Sequence, residues 1–494
     1  MASTPPLNVL FVTADQFRGD FLSCAGHPVV RTPNLDALGL QGAYLPNSYA
    51  PVPVCVPSRY AYMTGRSPIS FGMRGNVGMR MPADAVTLPA AFGSAGYHTA
   101  AIGKMHFSPW TEPYGFDTFV VSEEGRQWRS DNPQGTKGDA YQQYLRDVRW
   151  GGYERAHAIG NNDVHTSTSP LPLEHYHTSW ATRTTQQWLA EHVGRRANQP
   201  FFAWCSFTKP HSPYDPPEPY DRLYDPRTFP APIGGLADIE RLSPHYRASA
   251  NSHFWDTLGP EQIQRARAFY AGNVTLIDHC VGELRRTLSQ LGVDRTTVIC
   301  FTADHGDLLG DHGLFFKSNY FRGAWHVPFF LYAPGCVEAL GAVPRFSVSE
   351  DVYPTLLSLA GLPLPDSGGT LHGQDLSQDL RGGPRTVFGS VGRAPHQIHS
   401  ARTLRWSYVF HPRGAYEELY DLQADPDECH NLADEPGAEH RSAIADLRAQ
   451  LAAWLSSLGD STSVDASGRL LADPTARGWT PDPSPRQGLG LRPY

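Results

Sequence analysis

The stretch NVLFVTADQ, residues 8–16, runs six apolar or β-branched residues without a break and then ends in an acid and an amide. A strand with one face in water alternates apolar and polar residues. An unbroken run reads instead as a strand buried on both faces of a mainly parallel sheet. Four more runs share this texture: HTAAIG (98–103), PFFAWCSFT (200–208), TVICFTA (297–303) and VPFFLYA (327–333). Helical candidates lie between them. NLDALGLQGA comes after the turn RTPN, and DAVTLPAAFGSAG ends on a glycine C-cap signal. Residues 260–292 are long and amphipathic, with Pro260 early and Gly292 at the end. Strands alternating with helices predict an α/β domain.

The polar residues just past each run bear on function. The first run leads into Asp15 and Gln16, the second into Lys104 and His106, the third into Lys209 and His211, the fourth into Asp304 and His305. Open α/β sheets bind ligands at the carboxyl ends of their strands. Four core strands therefore deliver acids, bases and ammonium groups to one rim. Residues 122–180 are polar and weakly periodic, and read as insertions and loops over that rim. From about 380, RTVFGSVG, HSARTLRWSYVFHP and EELYDL read as a small antiparallel sheet, with the helix EHRSAIADLRAQLAAWLSSLG after it. The expected divisions are a main domain over 1–380, a small α+β unit over 381–471 and an extended tail over 472–494. The tail holds Trp479 and Tyr494 among prolines and glycines, too little apolar surface to fold alone. It is expected to lie across its own domain or a neighbouring subunit, which makes a homo-oligomer the expectation.

Composition excludes several classes. The chain has 494 residues and a net charge of −8 with dispersed basic residues, so no nucleic-acid partner is expected. No run of about 18 apolar residues occurs, so no membrane span is expected. The N-terminus lacks a basic segment followed by an apolar one, and a cytoplasmic location is expected. Seven scattered cysteines do not read as a disulfide framework. Of the basic residues only four are lysines, against 37 arginines. Lys104, Lys209 and Lys317 sit beside histidines or directly after apolar runs, where a compact ammonium differs from a guanidinium, whereas Lys137 matches nothing and reads as surface.

One cysteine stands in a polar, turn-like setting, PVCVPSRYAYMTGRS (53–67). Pro57 suits a first helical turn and Gly65 a C-cap, which puts Cys55 just before a helix N-terminus, where backbone N–H groups favour an anion. CVPSRYAYMTGR resembles the signature of the sulfatases of the alkaline-phosphatase superfamily, in which the cysteine is oxidised to Cα-formylglycine. The resemblance extends, in the family's order, through NVLFVTADQFRGD, RTPNLDALGLQGAYLPNSYA, AIGKMHF, KPHSPY, FTADHGDLLGDHGLFFK and ELYDLQADPDECHNL. It implies a large, mixed, mostly parallel sheet sandwiched by helices, with a small C-terminal antiparallel sheet and helix.

The resemblance also implies chemistry. A hydrated aldehyde offers one hydroxyl as nucleophile and a second whose deprotonation expels sulfate, and a divalent cation activates the diol. The implied metal ligands are Asp15, Gln16, Asp304, His305 and the modified Cys55. Gln16 and His305 depart from the family's common Asp and Asn, which makes Mn2+ an alternative to Ca2+. Arg59 is implied to hold the diol, Lys104 to neutralise sulfate oxygens, and His106 to take the diol proton. His211 and Lys317 are implied to cover the outer oxygens and protonate the leaving group. Asn76 is a further candidate for substrate contact. Asp307, Asp311 and His312 are expected to shape their turn. The implied partners are a small-molecule sulfate ester and a formylglycine-generating enzyme.

The expected activity is hydrolysis of aryl or small alkyl sulfate monoesters through a covalent sulfo-enzyme intermediate. The alternative is a phosphonate monoester or phosphodiester hydrolase of the same superfamily, where the Asp-Gln pair and the histidine also occur. CVPSR favours sulfate. A pseudoenzyme would lack a catalytic position, and none is missing. A phosphatase with an unmodified nucleophile would need Ser or Thr at position 55.

Overall fold

The computed structural model describes residues 6–475 apart from 124–138, 235–241, 243–245, 247–257, 367–369, 379 and 393–395. Its centre is an eight-stranded sheet. In chain order the strands are β1 (Asn8–Asp15), β2 (Ala43–Tyr44), β3 (Asn47–Tyr49), β4 (His98–Gly103), β5 (Thr118–Val121), β6 (Phe201–Pro210), β7 (Thr297–Ala303), β8 (Phe329–Tyr332), β9 (Gly341–Ala342) and β10 (Phe346–Val348). The order across the large sheet is β5-β4-β6-β1-β7-β8-β2-β9, and β3 pairs with β10 apart from it. β5, β4, β6, β1 and β7 are mutually parallel. Every residue of β6 and β7 is buried, as continuous apolar runs require when helices cover both faces. The fifth run, VPFFLYA, also enters the sheet but runs antiparallel to β7. The link between β7 and β8 carries the single turn Asp311–Gly313 and the short helix Arg322–Trp325 rather than a crossover helix, so the chain turns back.

Two cores lie against the sheet. One packs the helices His177–Arg195 and Pro260–Gln290 on one face, and the other packs Cys55–Thr64, Leu88–Ser94 and Val352–Leu359 on the opposite face. The helix over 177–195 is not foreshadowed by the pattern of the sequence. Its buried face mixes Trp180, Ala181 and Leu189 with Thr178, Thr182, Thr185 and His192, which breaks the apolar stripe that marks a helix. The stretch read as loops does hold the short helix Ala140–Asp147 and single turns.

Residues 387–421 form the small antiparallel sheet, β11 (Val387–Val391), β12 (Ile398–Arg402), β13 (Trp406–His411) and β14 (Tyr416–Asp421), covered by the helix Ala438–Ser457. Its core includes Tyr49, Tyr320, Trp325 and Phe346 of the large unit. Of the tail at 472–494, residues 476–494 lie outside the described residues. Among the described residues no helix is long and apolar enough to cross a membrane.

The helix Val352–Leu359, packed behind the Cys55 helix, starts from two buried acids. Asp351 accepts from Val348 N (2.9 Å) and Gln374 N (2.7 Å) and pairs with Arg385. Burial, with Asp351 adding to it, pushes the neighbouring Glu350 carboxyl up to about 8. A carboxyl raised on folding contributes stability that is complete below its unfolded value and lost as pH climbs toward the folded one. Glu350→Gln is therefore expected to gain stability over the parent between about pH 5 and pH 8, on the order of 4 kcal/mol at the upper end. Denaturant melts at both pH values check this. A difference that does not grow with pH contradicts a neutral Glu350.

Candidate active site

The rim where β4, β6, β1 and β7 end holds the charged groups. Asp15 closes β1 and Asp304 comes directly after β7, and both are fully buried. Each carboxylate divides its oxygens between two tasks. Asp15 Oδ2 faces the Lys104 ammonium and Arg59 Nη2 (3.3 Å), and Asp304 Oδ2 accepts from Arg59 Nε (2.9 Å). The Oδ1 atoms turn the other way: both lie 3.8 Å from His305 Nε2, and Asp15 Oδ1 is 3.9 Å from Cys55 Sγ. His305 Nδ1–H donates to Gly306 O (2.8 Å), which leaves the Nε2 lone pair pointing inward, 3.1 Å from Cys55 Sγ. Ligand atoms from Asp15, Cys55, Asp304 and His305 all lie within 4.8 Å of one another.

Local folding explains these positions. Cys55 is the first residue of its helix rather than the residue before it, and the whole helix is buried. Gly65, at φ 64°, closes the helix in the left-handed cap that Cβ-bearing residues resist. Gly103 ends β4 at φ 95°, where a Cβ would collide with Ser206 O of β6. Its absence lets Lys104 N donate to that same carbonyl (2.9 Å) and brings the lysine beside Asp15.

The electrostatics of the rim set burial against charge. Burial alone would raise Asp15, but Lys104, His211, Arg59 and His305 outweigh it and hold the carboxyl well below its usual range. Burial and Asp15 push the Cys55 thiol up, while Lys317, His305 and Lys104 bring it down to about 7. Burial and Lys317 act against protonation of His305, yet Asp304 and Cys55 raise it.

The donor set suits a divalent cation. Two inward carboxylate oxygens and one inward imidazole nitrogen converge on residue 55, and the outer oxygens are already braced by Arg59 and Lys104. Two carboxylates buried this close repel unless positive charge lies between them. Hard oxygen with one imidazole fits Mn2+, Ca2+ or Mg2+ better than zinc's usual nitrogen and sulfur.

The remaining expected residues fall in two groups. Lys317 Nζ donates to Gln16 Oε1 (2.6 Å) and approaches His211 Nε2 (2.9 Å), so these three form a second cluster beside the first. Gln16 N donates to Asp304 Oδ1 (3.0 Å), while its side-chain amide faces Lys317 and Asp307. His106 is buried just past β4 with its backbone at φ 57°, held where Glu123 Oε1 accepts its N–H (2.9 Å). Arg59, expected on the diol, directs its guanidinium to Asp304, Asp15, Lys104 O and Ser206 Oγ. Asn76, expected at the substrate, is exposed, and its Oδ1 accepts from Val56 N (3.0 Å) at the start of the Cys55 helix. Lys209 pairs with Asp215 and donates to Pro213 O (2.7 Å), bracing the His211 loop. Asp307 and Asp311 do tie their turn: Asp307 Oδ1 accepts from Leu309 N (3.1 Å) and Phe316 N (2.7 Å), and Asp311 pairs with Arg18 and Arg267. Ser206 and Glu123 are not legible as supports in one dimension, because nothing in an apolar strand or a polar loop marks them.

Comparison with known proteins agrees with this picture. The sulfatase family model matches residues 7–362, and the model for the C-terminal part of N-sulphoglucosamine sulphohydrolase matches 310–456. The chain is 30% identical over 453 residues to an arylsulfatase of Clostridium perfringens, covering 89% of this chain and 92% of that one. It is 29% identical over 441 residues to a choline-sulfatase of Rhizobium meliloti, covering 87% and 83%. Among solved structures, the phosphonate monoester hydrolase of Agrobacterium radiobacter superposes with a TM-score of 0.77 at 25% identity, covering 92% and 95%.

Proposed function

The chain belongs to the sulfatase family and is a sulfuric ester hydrolase, and from that premise we propose that it hydrolyses aryl or small alkyl sulfate monoesters through formylglycine at residue 55. The observation that carries this reading is the convergence of Cys55 with Asp15, Asp304 and His305 beside the buried Lys317–His211 pair. A divalent ion held by Asp15, Asp304 and His305 would supply positive charge beside residue 55 and favour its ionised form.

Residue 55, as the hydrated aldehyde, carries two hydroxyls on one carbon. One hydroxyl, ionised by loss of its proton to water, attacks sulfur as the bond from sulfur to the organic oxygen breaks. The departing oxygen takes its proton from the Lys317–His211 pair. His211 Nδ1–H is committed to Ser212 O (2.8 Å), so Nε2 presents a lone pair to Lys317 and the shared proton belongs to the lysine. His106 then removes the proton of the second hydroxyl. The carbonyl re-forms, the bond from carbon to the sulfate oxygen breaks, sulfate leaves and water rehydrates the aldehyde. Arg59 keeps both carboxylates aimed at residue 55 throughout.

A second reading, phosphonate monoester or phosphate diester hydrolysis, is favoured by Gln16 and His305 and by the likeness to the Agrobacterium enzyme. Both substrate types carry one negative charge on the transferring group, so shape decides between them. A diester or phosphonate needs room for a second organic group where sulfate has only oxygen. Lys104, His106, His211 and Lys317, all buried, leave little such room. An aryl sulfate is therefore expected to give the largest kcat/KM in an initial-rate comparison with the matching phosphonate, phosphate diester and phosphate monoester on fully matured enzyme. A better rate with the phosphonate or the diester replaces the first reading with the second.

A further inference from the structure

We propose that the seam between the large and small sheets holds a second anion site, built on Arg322 and Arg402 and shaped for a small tetrahedral oxyanion such as inorganic sulfate or phosphate. A cavity of about 130 Å³ opens there between Pro46–Tyr49, the start of the helix Arg322–Trp325 and the hairpin residues Arg402, Thr403 and Leu404. That space admits several waters or one tetrahedral ion.

Its two lining guanidiniums are paired unequally. Arg402 is buried, lies over the Tyr49 ring (5.3 Å) and the Trp325 ring (5.9 Å), and pairs with Glu428 (2.7 Å). Glu428's other oxygen accepts the backbone N–H of Arg322 (2.6 Å). The Arg322 guanidinium itself, half-buried at the cavity wall, makes no ion pair or hydrogen bond among the described residues. The nearby acid Asp20 is held by both Arg18 Nε (2.8 Å) and Nη2 (2.7 Å). Asp311 is shared between Arg18 and Arg267. The charged residues that line the cavity itself are Arg322 and Arg402, and of these only Arg402 has an ion pair among the described residues.

Arg322 has no ion pair among the described residues, and its charge reaches Asp20 only at longer range, helping to hold that carboxyl low. His326 Nε2–H donates to Pro46 O (2.7 Å), and burial together with Arg322 keeps this ring neutral. The Arg322 fork makes no hydrogen bond of its own among the described residues, and its planar edge matches two oxygens of a sulfate or phosphate. The site lies apart from Cys55 and the metal-ligand cluster and shares no residue with them. Sulfate is also what the enzyme releases, so this site meets its own product.

Equilibrium dialysis of the full-length enzyme against radiolabelled inorganic sulfate in chloride buffer tests this. Binding is the right readout, because sulfate raises the melting temperature of many proteins by exclusion alone. Two equivalents per chain are expected for the wild type. Arg322→Ala is expected to lose one equivalent, or weaken it at least tenfold, with kcat/KM for an aryl sulfate within twofold of wild type. Asn47→Asp, which puts a carboxylate into the cavity wall, is expected to lose the same equivalent. Lys317→Ala is expected to keep it. Displacement by unlabelled phosphate at lower concentration than by unlabelled sulfate names phosphate as the occupant, and the reverse order names sulfate. Identical stoichiometry and affinity in wild type, Arg322→Ala and Asn47→Asp overturns the proposal. So does displacement by chloride as readily as by sulfate at equal ionic strength.

Discussion

Cys55→Ala is expected to lower kcat by about four orders of magnitude or more, the scale on which losing a covalent nucleophile acts, and to leave the fold in place. Cys55 is the first residue of a helix that is buried along its whole length. Alanine is the best helix former and creates only a small void there, so the stability cost is about 1 kcal/mol. The same substitution removes the atom on which Asp15, Asp304 and His305 converge. Initial rates, circular dichroism and peptide mass spectrometry of the active parent, which should carry an aldehyde or its hydrate at residue 55, check the three parts of this expectation. Turnover by the alanine variant at the parent's rate would eliminate any mechanism through this residue.

The second large effect is expected at Asp304. Asp304→Asn removes one of the two inward-facing carboxylates and one of the two acids that neutralise Arg59. Activity is expected to fall at least a hundredfold, since even partners that only orient a metal ligand are worth roughly 10- to 100-fold. A buried guanidinium left with Asp15 alone also costs stability, about 3 kcal/mol by analogy with broken buried pairs. Metal content must therefore be read separately from activity. Exhaustive chelation of the unsubstituted enzyme isolates the metal's share. An ion present at a thousandfold excess over its dissociation constant contributes about 4 kcal/mol to folding. Chelated enzyme is thus expected to melt lower and to regain both stability and rate on adding Mn2+ or Ca2+. A melting temperature and rate unmoved by chelation would remove the ion from this rim.

Much of the molecule is legible in one dimension because the decisive signals are local. β1, β4, β6 and β7 announce themselves as unbroken apolar runs, since strands buried on both faces have no other choice of residue. The polar residues just after them could be assigned to one rim because parallel strands share a direction. The antiparallel course of β8 was not legible in the same way. A buried strand has the same composition in either direction, and only the length and content of the connection before it set its sense.

The sequence by itself determined the fold class, the family and the residues that meet at the strand ends. Side-chain type and order along the chain carry all of that information. Only the tertiary structure decided which atom faces which. It bonded Arg59 to two carboxylates, put Asn76 on Val56 N–H at the start of the Cys55 helix, and gave Gln16's amide to Lys317 and Asp307. It also left the Arg322 guanidinium without an ion pair among the described residues, at a seam between residues more than three hundred positions apart, Asn47 and Arg402. The reason is physical. A buried hydrogen bond or ion pair is decided by competition among every donor and acceptor that packing brings within about 3 Å, and packing joins residues whose separation along the chain carries no signal.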